Sequence, residues 1–512
     1  MQNTIAKVYS AELCGIDARC IEVEVDLNIG VSAFNIVGLA DRALNEAKER
    51  VNAALKNSGA KPPNKENRKI TVNLAPADIR KRGSHYDLAI AIGYLLATRQ
   101  VAACDVQDAI FVGELALDGS LRPVSGALNI AEMAGRAGFK KLFISTGNAN
   151  EAAAISGLCV IPADSLEDVI GILEKRKIVK PHIFISERCS VGAAAPDMSE
   201  IKGQENAKRA TMIAAAGGHN LLMVGPPGVG KSFLARALAG ILPDLSREEA
   251  IEVTKIWSAA GFRPHGLIAA RPIRAPHQTA SVAALVGGGQ DPRPGEISLS
   301  HCGILFLDEL PEFSRAALEA LRQPMELGTV HVARAKQSLV FPARFSLIAA
   351  MNPCPCGYYG ADDGRCRCSP YEIAKYQKKI SGPLLDRIDI QVRVHTIKLD
   401  DLQSNHNVGD VSSHIKDIVL RAQKEQMRRF RSAGLDIGMN AEMSSRDVDA
   451  LIDLDPQARE FLKRFDINYL SPRSYYRILK VARTIADIEE SRSVLREHIA
   501  EAYHYRLRDD AS

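Results

Sequence analysis

The stretch LLMVGPPGVGKSFLARAL, residues 221–238, constrains the fold of this chain more than any other segment. An apolar run is followed by a glycine-rich turn and by Lys-Ser. The next segment has apolar residues at the spacing of an amphipathic helix. Gly225, Gly230, Lys231 and Ser232 fit the phosphate-loop pattern at every position. The pattern predicts a buried strand, a loop, and a helix whose N-terminus binds the phosphates of ATP.

The residues of this loop have separate predicted tasks. Glycines allow backbone N–H groups to curl around phosphate oxygens, Lys231 reaches the β- and γ-phosphates, and Ser232 is a ligand of Mg²⁺. The alternative is a glycine-rich turn without a nucleotide, which the flanking strand and amphipathic helix disfavour. The predicted nucleotide site consists of Gly225, Pro226, Pro227, Gly228, Val229, Gly230, Lys231 and Ser232.

Two later apolar runs also end in polar residues. GILFLDEL places Asp308 and Glu309 at the end of a strand, where Asp308 can hold Mg²⁺ and Glu309 can polarise the attacking water. FSLIAAMNP places Asn352 at the end of another strand, where its amide can orient water against the γ-phosphate. The alternatives are an acidic strand end and a turn residue before Pro353.

Two arginines are candidates for contacts with the transferring phosphoryl group. Arg387, in SGPLLDRIDI, can act as a finger given to a neighbouring subunit; the alternative is a surface ion pair with Asp386 or Asp389. Arg473, in LSPRSYYRILKVARTIA, begins a helix after a proline and can touch the γ-phosphate from a lid.

The chain has 512 residues, too many for one ordinary core, and composition shifts divide it. Residues 1–175 alternate short strands and helices, and residues 176–198, with two prolines and no clear period, are the predicted linker. In residues 199–395 the strands are continuous apolar runs, as in a parallel sheet covered on both faces. Residues 396–512 are predicted to be mostly helical and charged.

The order of the motifs resembles that of a AAA+ ATPase of the magnesium-chelatase-like branch. The motifs are the phosphate loop, FLDE, the strand-end Asn, LLDR and SPR. IKGQENAKRA, residues 201–210, resembles the start of that module. RPIRAPHQTAS, residues 271–281, resembles a signature of the YifB/ComM family, although Gln278 stands where a second His is expected. The resemblance implies a helical lid in residues 396–512, a ring that is a hexamer, and ATP with Mg²⁺ as cofactors.

In that branch, an insert interrupts helix 2 and a β-hairpin precedes the sensor strand. Residues 271–300 are the candidate insert, and GTVHVARAKQSLVFPARF is predicted to form the hairpin. Arg334 and Lys336 lie near its tip, which points into the pore of a ring, so both are predicted to bind DNA phosphates. The alternative is a solvated turn.

The first domain resembles the Lon-type protease fold, an α+β domain that the recombination protein RadA also carries. The segments that carry this resemblance include KRGSHYDLAIAIGYLLA and VGELALDGSLRPVSGALNIAEMA. His85 stands at the position of the nucleophile in that protease fold, and Leu128 stands at the position of the base. We therefore expect no Ser/Lys dyad and no peptidase activity. The domain is expected to organise the ring or guide DNA.

Four cysteines occur in one short segment, CPCGYYGADDGRCRC. Cys354, Cys356, Cys366 and Cys368 form two C-x-C pairs, which could hold one tetrahedral Zn²⁺; the alternative is a thiol loop without metal. The N-terminal residues contain no uninterrupted apolar segment of a signal peptide, and the sequence has no apolar run of transmembrane length. A cytoplasmic protein without a membrane partner is therefore expected.

Three functions are compatible with these motifs. The resemblance implies a hexameric DNA motor, a branch-migration helicase that acts on single-stranded and branched DNA in homologous recombination during natural transformation. The alternatives are a chelatase-like motor subunit that remodels a protein partner, against which the fused first domain argues, and a scaffold that uses ATP only as a switch, against which Glu309 and Arg387 argue. The net charge of +4 does not by itself indicate a nucleic-acid binder.

Overall fold

The computed structural model describes residues 5–38, 42–65, 68–102, 106–185, 195–289, 292–333, 338–360, 364–396, 411–463 and 471–506. The chain forms two compact units. The first contains Met1–Ser190 and Ser246–Ala269, and the second contains Val191–Leu245 and Ala270–Ser512.

The N-terminal segments alternate strands and helices, as the sequence predicts. The strands are β1 (Ala6–Cys14), β2 (Asp17–Ile29), β3 (Ala33–Val37), β4 (Arg68–Ala75), β5 (Ala109–Phe111), β6 (Glu114–Leu115), β7 (Leu121–Arg122), β8 (Lys141–Ser145) and β9 (Cys159–Ala163). The helices are α1 (Arg42–Asn57), α2 (Asp87–Ala97), α3 (Ala127–Arg136), α4 (Thr146–Ala152) and α5 (Leu166–Leu173).

The first unit is built on a seven-stranded mixed sheet with the order β3-β4-β2-β1-β5-β8-β9. β2 is antiparallel to β1 and β4, whereas β5, β8 and β9 run parallel to one another. The apolar residues of α1 form one buried face: Leu44, Ala47, Val51, Ala54 and Leu55 are all fully buried in one core with α2.

The second half of the chain continues with further strands and helices. The strands are β10 (Leu221–Val224), β11 (Ile273–Arg274), β12 (Gly287–Gly288), β13 (Arg293–Pro294), β14 (Gly303–Leu307), β15 (Thr329–Ala333), β16 (Ser338–Pro342), β17 (Phe345–Met351) and β18 (Ile390–Arg393).

Helices connect these strands and form the C-terminal part. They are α6 (Glu205–Gly217), α7 (Lys231–Ile241), α8 (Arg247–Ala259), α9 (Val282–Val286), α10 (Glu296–Leu299), α11 (Arg315–Ala320), α12 (Arg322–Leu327), α13 (Pro370–Gln377), α14 (Gly382–Leu385), α15 (Val411–Ser432), α16 (Ser445–Leu451), α17 (Pro456–Lys463), α18 (Pro472–Ile488) and α19 (Arg496–His504). Short 3-10 helices occur at Pro63–Lys65, Met198–Glu200, Leu310–Glu312 and Asn440–Glu442.

The second unit is built on a five-stranded sheet with the order β11-β14-β17-β10-β18, and its strands are parallel. This confirms the predicted parallel sheet. β17 lies between β14 and β10, so the carboxyl ends of these three strands lie side by side. The predicted hairpin is also confirmed: β15 pairs with β16 antiparallel, from Thr329 opposite Pro342 to Ala333 opposite Ser338.

One helix lies elsewhere than the sequence suggested. The range expected for the ATPase core, residues 199–395, includes α8, but the structure groups α8 with the first unit. There Ser258 Oγ donates a hydrogen bond to Glu151 Oε1 at 2.6 Å, and Lys255 Nζ lies 2.5 Å from Glu132 Oε2.

The C-terminal part is helical, as expected, and α18 is its central element. Most of the second half of α18, including Ile478, Val481 and Ile485, is buried in the core of the second unit. Within the described residues, no helix combines the length and the apolar composition needed to cross a bilayer.

Candidate nucleotide site

The phosphate loop connects β10 to α7, and its glycines have two different structural roles. Gly225 allows close approach of another strand, since a Cβ there would overlap the carbonyl oxygen of Val394 and lie 3.1 Å from its carbonyl carbon. Gly228 and Gly230 have φ values of +78° and +91°, in the left-handed region that favours glycine. A Cβ at either would meet nothing within 4 Å, so this part of the loop borders open space.

Lys231 is the first residue of α7, and its ammonium is buried and fully partnered. Nζ donates hydrogen bonds to the carbonyl oxygens of Gly225 at 2.6 Å and Pro226 at 2.8 Å, and to Asn352 Oδ1 at 3.0 Å. Burial lowers the pKa of Lys231, and the nearby carboxylates of Asp308 and Glu309 oppose that effect. The lysine is therefore held inside the loop, in contact with Asn352 at the end of β17.

Ser232 and Asp308 meet directly, because β14 ends beside the first turn of α7. Ser232 Oγ donates to Asp308 Oδ2 at 2.6 Å. A hydroxyl and a carboxylate oxygen are ligands that Mg²⁺ accepts, usually together with waters and substrate phosphates. This donor set fits the predicted magnesium site.

Glu309 is exposed and has a left-handed backbone, with φ of +51°. Its N–H donates to Asp308 Oδ1 at 2.9 Å. A non-glycine residue in this region of φ and ψ costs free energy, and such residues are concentrated at functional sites. Asp308 accepts the hydrogen bond of Ser232, whereas Glu309 lines the neighbouring cleft.

Glu309 and Asn352 border an open cleft of about 400 Å³. Its other walls come from the 3-10 helix at Leu310–Glu312 and from α13. Burial, together with Glu312 and Glu309, raises the pKa of Tyr376 to about 12, so this phenol stays protonated. The lining residues are Glu309, Glu312, Asn352, Pro355, Glu372, Lys375, Tyr376 and Lys379.

Arg387 and Arg473 meet at one carboxylate, that of Glu326 on α12. Arg387 Nη2 lies 2.5 Å and Arg473 Nη2 lies 2.6 Å from Glu326 Oε1. The interaction with Arg387, and to a smaller extent that with Arg473, lowers the pKa of Glu326, whereas desolvation acts in the opposite direction. The Arg387 side chain is only 10% exposed, and Nη1 also donates to the carbonyl oxygen of Pro383 at 2.6 Å.

The ion pair of Arg387 with Asp386 or Asp389, considered from the sequence, is not the arrangement found. Asp389 lies instead 3.5 Å from His219 Nδ1 and 3.5 Å from Arg477 Nε. Nothing in the sequence singles out Glu326, because it lies 147 residues from Arg473 and carries no motif. Only the fold brings the three residues together.

The remaining predicted residues are distributed as follows. Arg334 and Lys336 lie outside the described residues, although the hairpin strands on either side of them are described. His85 Nε2 lies 2.8 Å from the carbonyl oxygen of Ala11, and Leu128 is fully buried.

The four predicted metal-ligating cysteines lie together. Their sulfur atoms are all within 4.8 Å of one another. Outside this cluster, Cys14, Cys20 and Cys159 are half-buried thiols that form no disulfide.

Comparison with known proteins gives three family matches along the chain. The model described as magnesium chelatase, subunit ChlI, matches residues 197–402. A model described as subunit ChlI of Mg-chelatase matches residues 23–148, and one for the C-terminal part of magnesium chelatase subunit ChlI matches residues 409–506.

Individual relatives extend over nearly the whole chain. The uncharacterized protein YifB of Salmonella typhimurium is 42% identical over 509 residues, which cover 99% of this chain and 98% of the relative. Competence protein ComM of Haemophilus influenzae is also 42% identical over 509 residues, covering 98% of this chain and 97% of the relative. Maternal DNA replication licensing factor mcm3 of Xenopus laevis is 24% identical over 386 residues, 69% of this chain and 42% of the relative.

Proposed function

Since the chain belongs to the YifB/ComM family of magnesium-chelatase-like AAA+ ATPases, we propose that it is a hexameric, ATP-driven DNA motor. The proposed activity is branch migration of DNA in homologous recombination during natural transformation. The observation that carries the ATP-hydrolysis part of the proposal is the convergence of Lys231, Ser232, Asp308 and Asn352 at the carboxyl ends of three adjacent strands.

The proposed hydrolysis follows from this arrangement. Lys231 and the backbone N–H groups of the loop bind the β- and γ-phosphates, with Gly228 and Gly230 leaving space for them. Ser232 and Asp308 would hold Mg²⁺, which when bound neutralises phosphate charge. Glu309 accepts a proton from the attacking water in the cleft, and Asn352 orients that water while it keeps Lys231 in place.

The proposed ring follows from the two arginines. Arg387 and Arg473 share Glu326, so both guanidinium groups are presented at one place on the chain. We infer that both turn to the γ-phosphate bound by a neighbouring subunit, where a guanidinium stabilises the charge of the transition state. Glu326 holds them when that phosphate is absent.

A mixing experiment tests the shared site. Arg387→Ala chains lack the finger, and Glu309→Gln chains lack the base, so each alone should have lost most of its ATPase activity. In rings assembled from equal amounts of both, about a quarter of the sites pair an intact Glu309 with an intact Arg387 of the neighbour. Recovery of about that fraction supports the ring, and mixtures as inactive as their components contradict it.

The DNA part of the proposal is supported by two relatives, a competence protein and a DNA replication licensing factor, and by the hairpin β15–β16. ATP hydrolysis should rise several-fold with forked DNA at low salt and less at high salt, because phosphate contacts weaken with salt. Glu309→Gln should lower turnover about 100-fold or more, as expected for loss of a general base. Glu425→Gln, an exposed glutamate paired with Arg428, is the matched control.

The second candidate is a chelatase-like motor that remodels a protein partner. All three matching family models bear the name of a magnesium chelatase subunit, and this favours it. An ATPase that is active but insensitive to forked DNA at low salt would support this candidate and refute the DNA motor. Loss of DNA stimulation in the double variant Arg334→Ala, Lys336→Ala would support the DNA motor.

A further inference from the structure

The four-cysteine cluster, Cys354, Cys356, Cys366 and Cys368, has the spacing of a metal site. Cys354 Sγ lies 3.3 Å from Cys356 Sγ and 3.8 Å from Cys366 Sγ, and Cys356 Sγ lies 3.6 Å from Cys366 Sγ. Sulfurs about 2.3 Å from a central Zn²⁺ form a tetrahedron with edges of about 3.8 Å. The three distances approach that edge and far exceed the S–S bond of about 2.05 Å in a disulfide.

The cluster lies in a segment with little apolar burial of its own. Cys354 is buried, but Cys356 is exposed and the other two cysteines are half-buried. The N–H of Tyr359 donates to Cys354 Sγ at 3.3 Å, an interaction that stabilises a thiolate. Four thiolates that converge would repel one another, and a divalent ion removes that repulsion. An iron–sulfur cluster needs inorganic atoms between its thiolates, for which these closely spaced sulfurs leave no room.

The cluster also adjoins the nucleotide site. Gly357, with φ of +86°, packs so closely that a Cβ there would lie 2.7 Å from Pro227 Cδ of the phosphate loop and 3.8 Å from Asn352 Cγ. On the other side, Gln377 Nε2 of α13 donates to the carbonyl oxygen of Pro353 at 3.2 Å. The segment therefore connects β17, which ends at Met351, to α13, which lines the cleft.

We propose that the four-cysteine cluster binds one structural Zn²⁺, and that this ion positions Asn352 and the phosphate loop. The four thiols release their protons to solvent as thiolates form the four Zn–S bonds, and no electrons are transferred. The ion closes the loop between the end of β17 and the start of α13, and thereby fixes the Gly357 turn against Pro227. The second half of this inference rests on the proposed nucleotide site, but the first half does not.

The metal content of the purified full-length protein tests the site. Elemental mass spectrometry should find one zinc ion per chain. The Cys366→Ser variant should lose this zinc, and the Cys366→His variant should retain it because histidine supplies a ligand atom. Cys20→Ser, a half-buried cysteine of the first unit, is the control and should keep the zinc. Less than a tenth of an equivalent in the parent protein, iron in place of zinc, or a disulfide among the four cysteines would overturn the proposal.

Reconstitution covers the case in which Cys366→Ser does not fold. Zinc is removed from the parent protein with a chelator under reducing conditions, and Co²⁺ is added. Strong visible absorption bands with thiolate charge transfer indicate tetrahedral sulfur ligation, whereas weak bands of an octahedral ion contradict the assignment.

Hydrogen exchange tests the positioning role. Removal of zinc should speed exchange at least tenfold both in residues 364–377 and in the phosphate loop, and zinc should restore the original rates. Faster exchange in residues 364–377 alone would overturn the positioning role. Because neither ATP nor DNA is present, the outcome is independent of the proposed motor function.

Discussion

An added methyl group should mainly destabilise the fold at one glycine of the phosphate loop, Gly225, and mainly weaken nucleotide binding at another, Gly228. In Gly225→Ala, the Cβ overlaps the carbonyl oxygen of Val394, a backbone atom that cannot rotate away. The clash is relieved only if the end of β18 moves away from β10, which breaks the hydrogen bond from the Val394 N–H to the carbonyl oxygen of Val224, 2.8 Å long. In Gly228→Ala, the Cβ meets nothing within 4 Å.

The magnitudes separate the two variants. Overpacking costs about 1–3 kcal/mol and a lost hydrogen bond about 1 kcal/mol, so Gly225→Ala should lose about 2–4 kcal/mol of unfolding free energy. Gly228→Ala costs only the left-handed backbone term, about 1–2 kcal/mol. For a domain of this size, 1 kcal/mol corresponds to about 2–4 °C, so Gly225→Ala should unfold roughly 4–16 °C below the parent protein.

The assay is thermal unfolding with and without ADP, together with titration of a fluorescent ADP analogue. A bound nucleotide raises the unfolding free energy by about 2.7 kcal/mol at one hundred times its dissociation constant. Gly228→Ala should lose most of that increase, because its methyl group enters the space proposed for phosphates. The reasoning is refuted if Gly228→Ala binds ADP as tightly as the parent, or if Gly225→Ala is as stable as the parent.

Three further predictions concern single side chains. Asn352→Ala removes one of three hydrogen-bond acceptors from the buried Lys231 ammonium, and a hydrogen bond to a charged group contributes about 1.5–3 kcal/mol. Steady-state ATP turnover should therefore fall about 10- to 100-fold. Unchanged kinetics would contradict a functional role of this contact. Glu326→Gln removes the charge that pairs with Arg387 and Arg473 and thereby frees Arg387. ATPase activity should therefore rise a few-fold in the assembled ring, and a fall would mean that Glu326 aligns the arginines instead. Burial raises the pKa of Glu151 to about 7, so between about pH 4.5 and pH 7 the folded chain retains a proton that the unfolded chain releases. The free energy of unfolding should therefore fall by up to about 3 kcal/mol as the pH rises through this range. Thermal unfolding of Glu151→Gln should lack this pH dependence.

Much of the second unit could be predicted from short segments. The phosphate loop, the three apolar strands and the hairpin β15–β16 each depend on a pattern within about twenty residues, and all of these elements form where expected. The side chains that follow the strands could be placed near one another because parallel strands end at the same edge of a sheet. The contacts of Lys231 with Asn352 and of Ser232 with Asp308 agree with that placement.

The sequence by itself determined the local conformations and the types of functional group, because glycine, proline and apolar periodicity act on the chain over a few residues. The tertiary structure alone decided the long-range contacts away from the strand ends: Glu326 with Arg387 and Arg473, α8 with the first unit, and Glu151 with a buried serine. Such pairings depend on the order of strands and on the packing of helices, which are set by the burial of many side chains at once and leave no signal at either partner. The placement of the phosphate loop beside the strand ends could therefore be predicted from the sequence, whereas the carboxylate that pairs with Arg387 and Arg473 could not.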